Sequence, residues 1–120
     1  MIAKDNLKKQ VEKAVTKFAD EHMQASPRSV VVDIHTDCVL ATLQDIIPPA
    51  EKNCADGEQS RELLEKCYSS VFDNTKKVLH RELEKILGQL VGNSIMTVDL
   101  QSGNGVIIFN FAGRASAQGR

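Results

Sequence analysis

Apolar side chains recur every three or four residues over the first 24 positions, which is the spacing of one face of an α-helix. The pattern predicts an amphipathic helix over residues 4–24, ended by Ser26-Pro27 because a residue before proline disfavours helical backbone. Three lysines lie on the opposite face of this helix. They suit either a solvated surface or contact with an anionic membrane. The apolar face comprises Leu7, Val11, Ala14, Val15 and Phe18, and the basic face Lys9, Lys13 and Lys17.

The pattern then changes to the alternation of strands in "SVVVDIHTDCVLATLQ", which is rich in β-branched residues. It predicts a hairpin with strands near 29–35 and 38–44 and a turn at Thr36-Asp37. One face of the first strand is aliphatic and the other is mixed, so the mixed face is expected to be partly in water. The aliphatic face holds Val30, Val32 and Ile34, and the mixed face Val31, Asp33 and His35.

The stretch "DIIPPAEKNC" joins this hairpin to a long run of helix formers. Proline is favoured in a first helical turn, where its missing N–H loses no partner, and Glu51 suits the positive end of the helix dipole. We therefore expect a short helix that starts at Pro48 or Pro49 and ends near Gly57.

Residues 58–90 contain no proline and predict one long helix, which Gly92-Asn93 closes. At 1.5 Å per residue it would be about 50 Å long, whereas a compact domain of this size is roughly 35 Å across. The helix is expected either to bend or to pack its overhang on a partner, and a homodimer is the simplest partner. Its predicted apolar stripe comprises Leu64, Cys67, Tyr68, Val71, Thr75, Val78, Leu79, Ile86 and Leu90.

A second hairpin is predicted from "SIMTVDLQ" and "VIIFNF", with Asn104-Gly105 as a type I′ turn. The fold class is therefore α+β, in the order α-ββ-α-α-ββ, with a four-stranded antiparallel sheet and the helices packed on one face. Residues 1–112 are expected to form a single domain, and the small polar residues 113–120 a disordered tail.

Composition excludes several functions. The net charge of −1 lacks the basic excess of a nucleic-acid-binding protein. No apolar stretch reaches the roughly 18 residues that a membrane span requires. The N-terminus lacks the apolar region of a secretory signal, and the three cysteines are odd in number, so a cytoplasmic location is expected.

Few residues are candidates for catalysis or metal binding. His35 and Cys38 flank the first turn and could supply two metal ligands, but a metal site needs three or four. Cys54 lies too far into its predicted helix for activation as a nucleophile. Cys67 is expected to pack in the core, and His80 to lie on a solvated helix face. The residues indicate no catalytic site and no cofactor.

Several motifs resemble the bacterial MpsC-like family, formerly a domain of unknown function. They lie in "SPRSVVVDIHTDCVLATLQDIIPPAEK", "GEQSRELLEKCY" and "GNSIMTVDLQ", and the resemblance covers about two-thirds of the chain. Its recurrent charges match Glu51 and Arg61, and Arg28 follows its proline. The family is named for a component of a sodium-translocating, membrane-potential-generating system. The resemblance therefore implies an accessory protein of a membrane transport complex.

Three functions remain open from the residues. The first is a non-enzymatic, dimeric interaction protein, and the second is a small-molecule or anion-binding regulatory domain. The third is a metal-dependent enzyme built on His35 and Cys38. The binding candidates are Arg28, Glu51 and Arg61, and a structural pair between Glu51 and Arg61 is the alternative to a binding role.

Overall fold

A computed structural model describes residues 4–49, residue 51 and residues 57–114. Two helices and four strands form an α+β domain, and the strands make one antiparallel sheet in the order β1-β2-β4-β3. The predicted fold class is confirmed. The elements are α1 Lys4–His22, β1 Ser29–Ile34, β2 Cys38–Gln44, α2 Glu58–Leu87, β3 Gln89–Asp99 and β4 Asn104–Arg114.

The core lies between the two helices and one face of the sheet. Helix α1 packs on β1 and on α2, and α2 packs along β3. Burial alternates along the strands, as expected when only one sheet face is covered. The rings of Phe18 and Phe72 meet edge to face at 6.0 Å and join the two helices. The fully buried residues include Val11, Val15, Val32, Val39, Phe72, Leu79, Leu83, Ile107 and Phe109.

Helix α2 ends earlier than predicted. Gly88 adopts the left-handed conformation with φ 69°, and its N–H donates to the carbonyl oxygen of Glu84 at 2.9 Å. Glycine takes this conformation without the steric cost that a Cβ imposes. Strand β3 follows at once from Gln89, so Gly92-Asn93 lies within this strand, near its register shifts, and does not close the helix.

The compact diameter of roughly 35 Å assumed for the domain is wrong, because the molecule is elongated. The 30 residues of α2 correspond to about 45 Å. The molecule measures 51 × 27 × 22 Å, and its β3–β4 hairpin has strands of 11 residues each. An elongated domain can carry a helix of this length along its long axis, so the length of α2 alone gives no reason for a dimer.

The buried face of α2 also differs from the prediction. Phe72, Leu79 and Leu83 are its buried residues. By contrast, Val71 is 39% exposed and Val78 46% exposed. The predicted stripe was misplaced around the helix, since it included the exposed Val71 and Val78 and left out Phe72 and Leu83. Apolar residues occur on two sides of this helix, and spacing alone does not show which side is buried.

The turn between β3 and β4 is not at Asn104-Gly105. Leu100–Gly103 form the turn, with Gly103 at φ 81°, and Asn104 already pairs with Asp99 in the ladder. Gly105 serves packing instead. A Cβ there would approach Met96 Cε to 2.9 Å and Ile46 Cδ1 to 3.0 Å, so the ends of these two side chains would have to shift to admit one.

The predicted short helix and tail fall largely outside the described residues. Pro49 and Glu51 have helical backbone, and the N–H of Glu51 donates to the carbonyl oxygen of Pro48 at 3.0 Å. The described part of the chain begins again at Gly57 and continues in β4 to Arg114. Residues 52–56, with Cys54, and residues 115–120 lie outside it.

Candidate functional site

Glu51 meets the long helix through a hydrogen bond. The hydroxyl of Tyr68 donates to its Oε1 at 2.5 Å. Burial raises the pKa of Tyr68, and the hydrogen bond to Glu51 and the negative charge of its carboxylate raise it further. The phenol therefore stays protonated and acts as a fixed donor, which orients the carboxylate.

A cleft of about 280 Å³ opens beside this pair, between the end of α1 and the first half of α2. Gln24 borders it with a positive φ of 51°, which turns the chain sharply after α1. Among the described residues that line the cleft, the carboxylate of Glu51 is the only formal charge. Such a site does not attract an anion. The lining comprises Met23, Gln24, Glu51, Leu64, Cys67, Tyr68 and Val71.

An apolar stripe runs from this cleft along the outside of α2. We define the outer stripe as Leu63, Cys67, Val71 and Val78, which fall within about 80° of arc at 100° per residue. Leu63 is 65% exposed, and Cys67 is exposed rather than packed in the core as predicted. Four exposed apolar or weakly polar side chains on one helix face make it a candidate contact surface.

The outer stripe continues into positive charge. Arg81 and Lys85 follow on the same helix face, and both are exposed. Lys85 Nζ lies 3.9 Å from Glu82 Oε1, a weak pairing between exposed groups. A second cavity of about 100 Å³ lies beside Val78, between α1 and α2. Lys17, Glu21 and Glu82 line this second cavity, so the groove between the helices is apolar toward the start of α2 and carries charges of both signs toward its end.

The predicted binding residues do not converge. Arg28 Nε lies 3.9 Å from Asp45 Oδ2, and both side chains are well exposed. Arg61 lies in the first turn of α2, where its N–H donates to the carbonyl oxygen of Gly57 at 3.2 Å. No ion pair joins Glu51 to Arg61 among the described residues, and neither arginine belongs to the described lining of the cleft.

His35 and Cys38 lie at the β1–β2 turn, where the N–H of His35 donates to the carbonyl oxygen of Cys38 at 2.8 Å. Burial raises the pKa of the Cys38 thiol, and the Asp37 carboxylate raises it further, which disfavours the thiolate that binds metals. Within the described ranges, no group of three or more histidine, cysteine or acidic residues is placed to hold a metal ion.

A buried polar cluster joins α2 to β3, and sequence reasoning missed it. Ser94 is fully buried, and its Oγ lies 2.6 Å from His80 Nε2. Lys76 Nζ donates to the carbonyl oxygen of Ser94 at 3.1 Å. The ring of His80 meets that of Phe109 edge to face at 6.1 Å. The predicted solvated His80 is therefore wrong, because the strand behind it covers the ring.

A serine beside a histidine is also the start of a catalytic triad. Here the hydroxyl has no exposed surface, so a substrate cannot reach it. The carboxylate of Glu84, one turn from His80, accepts the N–H of Val91 at 2.9 Å. The cluster fixes α2 on β3, and its geometry is that of a structural contact.

The fold and these surfaces define a small α+β protein with an exposed helix stripe beside a carboxylate-bearing cleft. None of the helices within the described residues has the length and apolarity to cross a membrane. The family model MpsC, described as a Na⁺-translocating membrane potential-generating system, matches residues 3–113. The chain therefore belongs to the MpsC family, as the sequence motifs suggested. Comparisons with curated proteins and with solved structures gave no match.

Proposed function

We propose that this chain is a non-enzymatic accessory protein that acts by protein contact within a sodium-translocating, membrane-potential-generating system. The family match supports the kind of system. The outer stripe of α2 is the observation that carries the mode of action, because exposed apolar side chains in a row favour a protein partner. A cytoplasmic location belongs to the proposal and is supported by the odd number of cysteines.

The partner that fits the stripe is an amphipathic helical segment of a membrane subunit. Leu63, Val71 and Val78 offer apolar contacts at helical spacing, which suits a helix lying along the outer stripe of α2. Arg81 and Lys85 at the far end favour carboxylates on that segment. The occupant is therefore a helix with an apolar row that continues into acidic residues.

The anion-binding alternative has less support from the geometry. Arg28 is engaged with Asp45, and the one formal charge in the described lining of the cleft is the Glu51 carboxylate. A negative cleft repels anions. A rise in melting temperature with inorganic phosphate that Arg61→Ala abolishes would favour this alternative over protein contact.

Co-purification tests the proposal. Tagged protein is recovered from membranes of its own host in mild detergent, and the bound membrane subunits are identified by mass spectrometry. Val78→Asp places a charge in the outer stripe and is expected to reduce recovery of those subunits about tenfold or more. Gln10→Asp adds the same charge at an exposed position of α1 and is the matched control.

Recovery of sodium-translocating subunits with the unaltered chain and with Gln10→Asp, but not with Val78→Asp, supports the proposal. It fails if the unaltered chain recovers no such subunit, or if Val78→Asp recovers as much as the control. Circular dichroism on each variant confirms that the helices are retained.

A further inference from the structure

The sheet has a second face, turned away from both helices, and its centre is aliphatic. In the observed register Leu40 pairs with Ile108, and Ile108 pairs with Ile95 on the next strand. Two residues further along these strands, Thr42 pairs with Val106 and Val106 with Thr97. We define the outer sheet face as Val31, Leu40, Thr42, Ile95, Thr97, Val106 and Ile108.

These residues are open to solvent in the single chain. Ile95 is 55% exposed, Val31 42% and Ile108 41%. The solvent side of an antiparallel sheet normally carries polar and charged side chains in alternation with the core. Of the described side chains that point outward from the four strands, only Asp33 and Asp99 are charged. Both lie at the rim, on an edge strand and at a strand end.

We propose that the outer sheet face binds the same face of a second copy of this chain. Sheets stack face to face with their inner side chains interdigitated, about 10 Å apart. Two copies related by a twofold axis present the same surface patch to each other. The patch must therefore be complementary to itself. A flat aliphatic centre without charge meets this requirement, and the Asp33 and Asp99 carboxylates remain in the polar rim.

The area of the sheet is sufficient for a specific dimer interface. At about 3.3 Å per residue and about 4.8 Å between strands, the strands cover roughly 550 Å² per copy. Two copies therefore bring together roughly 1,100 Å², just above the lower bound for a specific interface. The dimer is four layers thick, with both sheets inside and the helices outside, so each outer stripe on α2 stays accessible.

The charge pattern decides against other occupants. A membrane surface or a nucleic acid is anionic and needs lysines or arginines. None points outward among the described side chains of these strands, and the two charges present are negative. The inference is independent of the partner contact on α2, because the two surfaces lie on different layers of the domain.

Sedimentation or light scattering of the purified chain tests the inference. The expected mass is about 26 kDa, twice the 13.2 kDa of one chain. Ile108→Lys places a charge at the centre of the face in each copy and is expected to raise the dimer Kd about 30-fold or more. Leu63→Lys, on the exposed side of α2, is the matched control and is expected to leave the dimer intact.

Ile95→Lys provides a second variant at a more exposed position, should Ile108→Lys fail to fold. A dimer that dissociates with a lysine on the sheet and persists with Leu63→Lys supports the inference. A monomeric unaltered chain at about 100 µM overturns it. So does a dimer that folded Ile108→Lys and Ile95→Lys leave unchanged, or one that Leu63→Lys dissociates.

Discussion

His80 Nε2 lies 2.6 Å from the Oγ of Ser94, and this contact joins the second half of α2 to a fully buried position of β3. Buried polar groups are stabilising only when paired, since an unpaired one keeps the cost of lost hydration. In this domain the pair lies between a helix and a sheet that are also joined by hydrogen bonds from Lys76 to Ser94 and from Val91 to Glu84. It therefore restricts how α2 can slide along β3.

Ser94→Ala is expected to lower the free energy of unfolding by about 1–3 kcal/mol, because the half-buried ring of His80 loses its partner. Chemical denaturation followed by circular dichroism at one protein concentration measures the change. Ser70→Ala, at an exposed position of α2, is the control and is expected to change stability by less than about 0.5 kcal/mol. Equal losses in the two variants would contradict a role for the pair.

Stability is expected to depend on pH through His80. Burial lowers the pKa of His80 below its ordinary 6.5, the Lys76 charge lowers it further, and Glu84 opposes both. The unfolded chain thus binds the proton more readily, so the His80 contribution is complete above 6.5 and is lost as pH falls through the folded pKa. Between about pH 7.5 and about pH 5.5, the unaltered chain is expected to lose more stability than His80→Gln. Equal losses of stability in the unaltered chain and in His80→Gln would contradict the burial of the His80 ring.

Tyr68 can be titrated alone, because the chain has one tyrosine and no tryptophan. Its pKa is expected to lie above the ordinary 10.0, chiefly through burial and then through Glu51. Near-ultraviolet absorbance of the phenolate measures it. In Glu51→Gln the pKa is expected to fall but stay above 10.0, since burial remains. An ordinary pKa in the unaltered chain would show that Tyr68 is not held in the cleft.

Gly88→Ala is expected to cost about 1 kcal/mol, because alanine resists the left-handed conformation that ends α2. Beyond the adjoining backbone no atom lies within 4 Å of the added Cβ, so the cost comes from the backbone conformation and not from a clash with the rest of the domain. Gly88→Asn is the matched control and is expected to cost less, since asparagine tolerates this conformation. If the two substitutions cost the same in thermal unfolding, the helix does not depend on this residue for its end.

Periodicity predicted the elements well because each of them exposes one face and buries the other. It placed α1, the first hairpin and the second pair of strands from local spacing alone. It could not choose the buried side of α2, since Leu63, Val71 and Val78 lie on one side and Phe72, Leu79 and Leu83 on another. That choice depends on β3, which the sequence does not place against the helix.

Residue types typical of turns predicted the structure less well than periodicity did. Asn104-Gly105 has the residues of a tight hairpin turn, but the lack of a side chain at Gly105 is used for packing against Met96 and Ile46. Similarly, the sequence pattern indicated Glu51 as a site residue but did not indicate Tyr68 as its hydrogen-bond partner. Tyr68 lies 17 residues further along, and their contact arises only where the segment after β2 meets α2.

The most direct measurement of the central claim is the sodium-dependent membrane potential of host cells that lack this chain. We predict that the potential is reduced, that the unaltered chain and the His35→Ala/Cys38→Ala variant restore it, and that Val78→Asp does not. An unchanged potential without the chain, or full restoration by Val78→Asp, would contradict action through the outer stripe of α2.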